Sequence, residues 1–315
     1  MENIDRRILV AVDGSTYSTN TVHYLTTLFA DDTRLHVDLS SVVTAPYSSE
    51  LQETVTGLEP SVAALSTEGM KKYHKASHCL DTAEGALVRA GFAAKRVTKH
   101  SSITADGIAQ SILQRARAGS YDALVVGRRG MGKLEEMVMG SVSSFLLEHC
   151  HDIPIWLVDG RVDASTFLVP VDLTPHTMAA IDHLGFMLAG NKHGEITLFH
   201  SEALLQTGPH PHPASAFHRL LGEEWCELNL HLEDSHFSGA EKILTDHGVD
   251  PAKIHRLHTE RGIHPSRQII RQALKDDFGT IVMGRRGRQA DKGMLGGISD
   301  RVIYMAEHVA LWIVG

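Results

Sequence analysis

Two stretches of this chain restate one another. VVGRRGMGKLEEMVMGSVSS, residues 125–144, and VMGRRGRQADKGMLGGISD, residues 282–300, both run from an apolar segment through Gly-Arg-Arg-Gly into a serine-bearing segment that reads as a helix start. A duplicated strand-turn-helix signal implies two copies of one folding unit, and a chain of 315 residues has the length for both. Matching anchors set the copies against each other: Asp13 with Asp172, Gly127 with Gly284, Gly130 with Gly287, and Trp156 with Trp312. The linker then falls near Asp159 to Ala164, dividing the chain into domains 1–160 and 161–315.

Each copy contains five short segments that read as strands, in the same order. ILVAV (8–12), LSSVV (39–43), KRVTKH (95–100), ALVVG (123–127) and PIWLV (154–158) are answered by FLVPV (167–171), ITLFHS (196–201), KIHRLH (253–258), TIVMG (280–284) and ALWIV (310–314). Amphipathic segments such as ADGIAQSILQRARAG and PSRQIIRQALKDDFG separate them. Continuously apolar strands alternating with helices indicate parallel sheets covered on both faces. The expected fold is α/β, with two tandem doubly wound five-stranded parallel sheets of strand order 3-2-1-4-5.

Composition narrows the function classes. Hydrophobic residues make up 43% and charged residues 22%, as in globular proteins with full cores. A net charge of -8 argues against coating nucleic acid, which needs a basic face. Cys79, Cys150 and Cys226 form neither a CxxC pair nor an even set, so no disulfide framework or thiolate metal site is suggested. The apolar run near the amino terminus is too short for a signal peptide, and no segment has the length of a membrane span. The expectation is a soluble cytoplasmic protein with no membrane insertion.

The repeated glycine stretch carries the chemistry. A strand ending at Gly127 must turn, and Gly127, Gly130 and Gly132 allow close backbone approach to a ligand. Gly140 and Ser141 then precede VSSFLLEHC, which has helical spacing; Ser141 is expected to cap that helix, whose free N–H groups would face a bound anion. No Gly-Lys-Ser/Thr closes the loop, so this is not the Walker pattern, nor is it a dinucleotide fingerprint. Asp13 is the first polar residue after ILVAV, at a carboxyl strand end. In strand order 3-2-1-4-5 it would face the Gly127 loop across the switch point where ligands collect. Phosphate cradle and carboxylate together suit a nucleotide, the carboxylate accepting from ribose or base. The alternatives are a glycine loop serving structure alone and an Asp13 that only caps the following helix.

These residues resemble the universal stress protein family, in tandem form, over nearly the whole chain. The family's nucleotide motif is Gly, two residues, Gly, nine residues, Gly, then Ser or Thr, and Gly127, Gly130, Gly140 and Ser141 match it in full. The resemblance implies an adenine nucleotide, ATP foremost, held by Asp13, by the strand-2 backbone at Val42 and by those motif residues, with Val142 and Ser143 opening the helix. Mg²⁺ is a candidate companion of the nucleotide. The resemblance further implies a homodimer and a stress-response role exerted through a regulatory protein partner.

The second copy departs from the pattern. Counting back from the tryptophans sets Gly296 opposite Gly140 and Gly297 opposite Ser141, one residue short; counting from Gly284 reaches Gly297 followed by Ile298. Either way the motif hydroxyl is lost, although Ser299 matches Ser143. Asp172, Gly284, Arg286, Gly287, Gly297 and Ser299 make up the second candidate site, expected to bind more weakly than the first. Adjacent side chains diverge, so one arginine of each pair, Arg128–Arg129 and Arg285–Arg286, is expected to project into water, with Arg129 and Arg286 the phosphate-side candidates. His210 and His212 in PHPHP fall short of the three or four converging ligands of a zinc site. Hydrolysis needs a base and placed charge near the γ-phosphate, and Glu135 and Glu136 lie in the loop's variable middle, so no catalytic residue is assigned. An ATP-hydrolysing or nucleotidyl enzyme of the same architecture and a nucleotide-free scaffold are the competing readings.

Overall fold

Ile8, Leu9 and Val10 are buried in succession, as are Leu124, Val125 and Val126. Because successive strand side chains point to opposite faces, such runs require cover on both sides of a sheet, and helices supply it. A computed structural model of the chain describes residues 4–44, 62, 65–104, 107–130, 139–201, 213–257, 264–285 and 297–315. The chain divides between Gly160 and Arg161 into two compact units.

The first unit runs β1 (Arg6–Ala11), α1 (Thr16–Phe29), β2 (Leu35–Thr44), α2 (Thr67–Arg89), β3 (Val97–Thr104), α3 (Ile108–Ala118), β4 (Ala123–Gly127), α4 (Ser141–His149) and β5 (Ile155–Val158). Its sheet order is β3-β2-β1-β4-β5, with every pairing parallel. The second runs β6 (Thr166–Pro170), α5 (Pro175–Leu188), β7 (Glu195–Phe199), α6 (His218–Leu221), α7 (Glu223–Asn229), α8 (Ser235–Asp246), β8 (Ile254–Leu257), α9 (Pro265–Lys275), β9 (Thr280–Gly284), α10 (Ile298–Met305) and β10 (Ala310–Val314). Its order, β8-β7-β6-β9-β10, is the same and again parallel. The tandem doubly wound fold is therefore present in both halves.

Boundaries depart from the apolar runs where pairing, not hydrophobicity, decides them. Lys95 and Arg96 lie in a 3-10 turn, and β3 continues to Thr104 because Val97–Thr104 stays in register with Val37–Thr44. The long helix α2 has no single counterpart in the second unit. Gly222, at φ +83°, ends α6 in a conformation that costs a side-chained residue strain, and α7 starts afresh beyond it.

Each core is built around a tryptophan. Trp156 stacks on Phe29 with ring centroids 5.9 Å apart, and Trp312 meets Phe167 edge-on at 5.4 Å and His183 at 5.9 Å. Burial holds the His183 imidazole neutral, lowering its pKa to about 4 against a smaller opposing pull from Asp182. Polar groups pin the first sheet. Arg6 pairs with Asp32, and Asp38 accepts hydrogen bonds from Thr98, Tyr121 and Arg7. Burial pushes the Asp38 carboxyl up, but those donors together outweigh it and its pKa is lowered.

Candidate functional site

The carboxyl ends of β1 and β4 lie side by side, since Ile8, Leu9 and Val10 pair with Ala123, Leu124 and Val125. From there α1 leads toward β2 and α4 toward β5, which opens the switch-point crevice. Asp13 stands at its edge, half-buried, with Oδ1 accepting from the Ser15 N–H at 2.9 Å. Gly14 makes that turn at φ +79°, and a Cβ there would collide with Cys79 Sγ. Ser15, not Asp13, is the N-cap of α1, its Oγ accepting from Ser18 N–H at 3.2 Å. Asp13 is therefore not the N-cap of α1, although its Oδ1 shapes the turn that leads into the helix, and its Oδ2 faces the glycine loop.

Gly130 closes on that carboxylate. A Cβ added at Gly130 would sit 2.7 Å from Asp13 Oδ2, so the loop backbone runs against the acid with no room for a side chain. Gly127 packs equally closely on Tyr17, whose Cβ would be 2.9 Å from an added methyl. The loop is pinned at both ends: Gly140 N–H donates to the Arg128 carbonyl at 2.9 Å, and Ser143 Oγ donates to the Gly127 carbonyl at 2.8 Å. That bond and its burial make Ser143 a brace between β4 and α4.

Ser141 does not cap α4. The N-cap of α4 is Gly140, and Ser141 is the first helical residue, exposed to solvent. Gly140 supplies no side-chain acceptor, so the first-turn N–H groups of α4, Ser141, Val142 and Ser143 among them, lack the capping that Ser15 gives α1. A helix start in that condition favours an anion through its amides and its dipole.

The arginines also depart from expectation, since neither of the first pair projects into water. Arg128 is fully buried and its Nε lies 3.8 Å from Asp159 Oδ2. Arg129 is half-buried, lying over the Tyr17 ring at 5.7 Å and donating from Nη1 to the Tyr17 hydroxyl at 2.9 Å. Backbone pairing explains the split: Arg128 N–H continues the sheet by donating to Val158, which turns its side chain toward Asp159. Val42 is buried near the end of β2, opposite Ser102.

In the second unit Asp172 repeats the turn, its Oδ1 accepting from Thr174 N–H at 3.1 Å and Thr174 Oγ1 at 2.7 Å, and Thr174 caps α5. Gly284 admits no side chain, because a Cβ would overlap the backbone at His176. Gly297 is the N-cap of α10 without a side-chain bond, and Ser299 is half-exposed within the first turn. Arg285 Nε pairs with Asp300 Oδ1 at 3.5 Å. Arg286 and Gly287, like Glu135, Glu136, His210 and His212, lie outside the described residues.

Several neighbours of the site carry no sequence signal. Val12 N–H donates to Ser40 and Val171 N–H to Phe199, so Ser201 stands where the first unit has Val42; its hydroxyl donates to Gln268. His200 Nδ1 bonds the Val171 carbonyl at 2.8 Å, and its ring lies 4.2 Å from that of His236. Burial, followed by the charge of His200, lowers the His236 pKa to about 4. Tyr17, Asp159 and Asp300 likewise become visible only through their contacts. Among the described residues no group of three or more His, Cys, Asp or Glu is placed to hold a metal, and no helix is long and apolar enough to cross a membrane.

Comparison with known proteins gives a consistent result. The model of the Universal stress protein family matches the chain twice, at residues 6–159 and 164–308. A universal stress protein of Mycolicibacterium smegmatis is 26% identical over 237 residues, which are 73% of this chain and 74% of that protein. Among solved structures, a universal stress protein from Archaeoglobus fulgidus DSM 4304 is similar over 98% of this chain and 97% of its own, with a TM-score of 0.59 and 18% identity. A functionally unknown protein of Pseudomonas aeruginosa PAO1 covers 98% of this chain and 92% of its own, with a TM-score of 0.56 and 14% identity. At these identities the two structures speak to the fold.

Proposed function

Because the chain belongs to the universal stress protein family, we propose that it is an adenine-nucleotide-binding stress-response protein whose first unit holds ATP at the β1–β4 crevice. The observation that carries this reading is the placement of the Gly130 backbone against the Asp13 carboxylate, beside a helix start without a side-chain cap. Two complementary chemistries meet in that crevice. The α4 amides, with Gly127, Gly130 and Gly140 keeping side chains away, suit phosphate oxygens; the Asp13 carboxylate accepts hydrogen bonds from ribose hydroxyls or base amines. The β2 backbone at Val42 lines the nucleoside end, and Arg129, half-buried over Tyr17, is the phosphate-side arginine.

In this reading nucleotide occupancy is the signal, with Mg²⁺ accompanying the phosphates, and turnover is slow or absent. Assembly as a homodimer and contact with a regulatory partner in the cytoplasm complete the proposal. Mass spectrometry of ligand released from freshly purified protein is the first test. ATP titration of wild type, Asp13→Ala and Asp172→Ala is the second. Loss of a hydrogen bond to a charged group costs roughly 1.5 to 3 kcal/mol, so Asp13→Ala is expected to weaken ATP on the order of 10- to 100-fold. Asp172→Ala should matter less. If neither substitution alters binding, the nucleoside-end assignment fails.

A further inference from the structure

The two helix starts that face the crevices differ in charge. Aligning the units on Trp156 and Trp312, and on Cys150 and Ala306, which end α4 and α10, sets Ser144 opposite Asp300. The first turn of α4 holds no acidic residue, whereas that of α10 holds Asp300 as its third residue after the N-cap Gly297. A carboxylate at this position is favoured by the helix dipole and competes for the place that would otherwise attract a phosphate.

The pairing of the loop arginine changes with it. In the first unit Arg128 turns toward Asp159, which directly follows β5, and both side chains are almost fully buried. After β10 the same place is taken by Gly315, which offers no side chain. Arg285, the residue directly after Gly284, instead pairs with Asp300, their side chains 18% and 39% exposed. The arginine that leaves the strand end in the second unit thus spends its charge on an anion built into the chain.

We infer that Asp300, held by Arg285, excludes phosphate from the second unit, so that the protein takes one ATP per chain. Resting on the nucleotide reading above, this assigns the larger part of the difference between the units to one carboxylate, beyond the motif hydroxyl that Gly297 lacks. A phosphate entering there meets a like charge and must also displace Arg285; the corresponding position of α4, Ser144, carries no charge. Like charges within several ångströms in a partly desolvated crevice weaken binding by more than about tenfold.

The test is isothermal titration with Mg²⁺-ATP and, separately, with adenosine. Wild type is expected to bind one ATP per chain, and Asp300→Asn, which removes the charge with little change of shape, is expected to bind two. The second equivalent should survive in Asp13→Ala/Asp300→Asn, which places it in the second unit. The reciprocal Ser144→Asp should weaken ATP at the first unit by more than about tenfold while leaving adenosine affinity within about twofold, separating charge repulsion from misfolding. Two ATP per wild-type chain, an unchanged stoichiometry in Asp300→Asn, or unaltered ATP affinity in Ser144→Asp overturns the assignment. Absence of ATP binding in every protein would remove the nucleotide reading itself, and this inference with it.

Discussion

Gly130→Ala isolates the contact on which the site depends. Gly130 has none of the positive φ that strains a side-chained residue, so the backbone itself tolerates alanine. The conflict is local: the new Cβ would lie 2.7 Å from Asp13 Oδ2, closer than carbon and oxygen approach without a shift. The carboxylate must swing away, stretching the 2.9 Å bond from Ser15 N–H that shapes the turn into α1. A hydrogen bond to a charged group contributes about 1.5 to 3 kcal/mol when buried, and for this half-exposed acid about 1 kcal/mol of stability is expected to go. ATP affinity should fall at least tenfold, about 1.4 kcal/mol, since both the acid and the loop backbone move. A double-mutant cycle followed by urea unfolding and ATP titration reads the coupling. In an Asp13→Ala background the oxygen is gone and the added methyl should cost almost nothing, leaving a coupling of about 1 kcal/mol in stability. Gly140→Ala is the control, because its Cβ would meet backbone, the Arg128 carbonyl and Arg129 Cα at 3.3 Å each, and Asp13→Ala gives no relief there. Additivity of Gly130→Ala with Asp13→Ala to within about 0.3 to 0.5 kcal/mol would refute the proposed contact.

Two further outcomes follow from buried charge. His183 stays neutral in the fold with a pKa of about 4, while the unfolded chain protonates near the ordinary value of 6.5. Stability from this group is thus intact above pH 6.5 and lost as pH falls toward 4, by up to about 3 kcal/mol. Urea midpoints at pH 7 and pH 4.5 should therefore differ less in His183→Phe than in wild type, and equal differences would contradict the assignment. Asp159→Asn removes the carboxylate that faces the buried Arg128 guanidinium and should destabilise the first unit by about 3 kcal/mol, with Arg128→Met/Asp159→Leu recovering much of the loss. Chemical denaturation of the three proteins decides it, and a single substitution as stable as wild type would mean that Arg128 reaches other neutralising partners.

Sequence alone determined the two copies and the alternation of strands and helices in each, and, given the order 3-2-1-4-5, the expectation of a ligand at the β1–β4 switch point. Those features rest on short-range rules: unbroken apolar runs demand cover on both faces, amphipathic spacing makes the covering helices, and glycines at 127, 130 and 140 mark where a backbone must approach something closely. Local chemistry of that kind is written in neighbouring residues, and Asp13 and the glycine loop carry it in the sequence itself. Tertiary structure decided what depends on partners distant in sequence. Ser141 reads as a cap by residue type, yet the chain enters α4 at Gly140 because that residue's N–H bonds Arg128 and its φ and ψ are extended. Arg128 and Arg129 are indistinguishable in sequence; one is buried against Asp159 and the other lies over Tyr17 because sheet pairing fixes which way each side chain leaves the strand end. Asp300 is an ordinary acidic residue near a helix start until Arg285 is found beside it, where Arg128's partner Asp159 has given way to Gly315. Electrostatics at the two crevices depends on which charges packing brings within a few ångströms, and no periodicity along the chain encodes that.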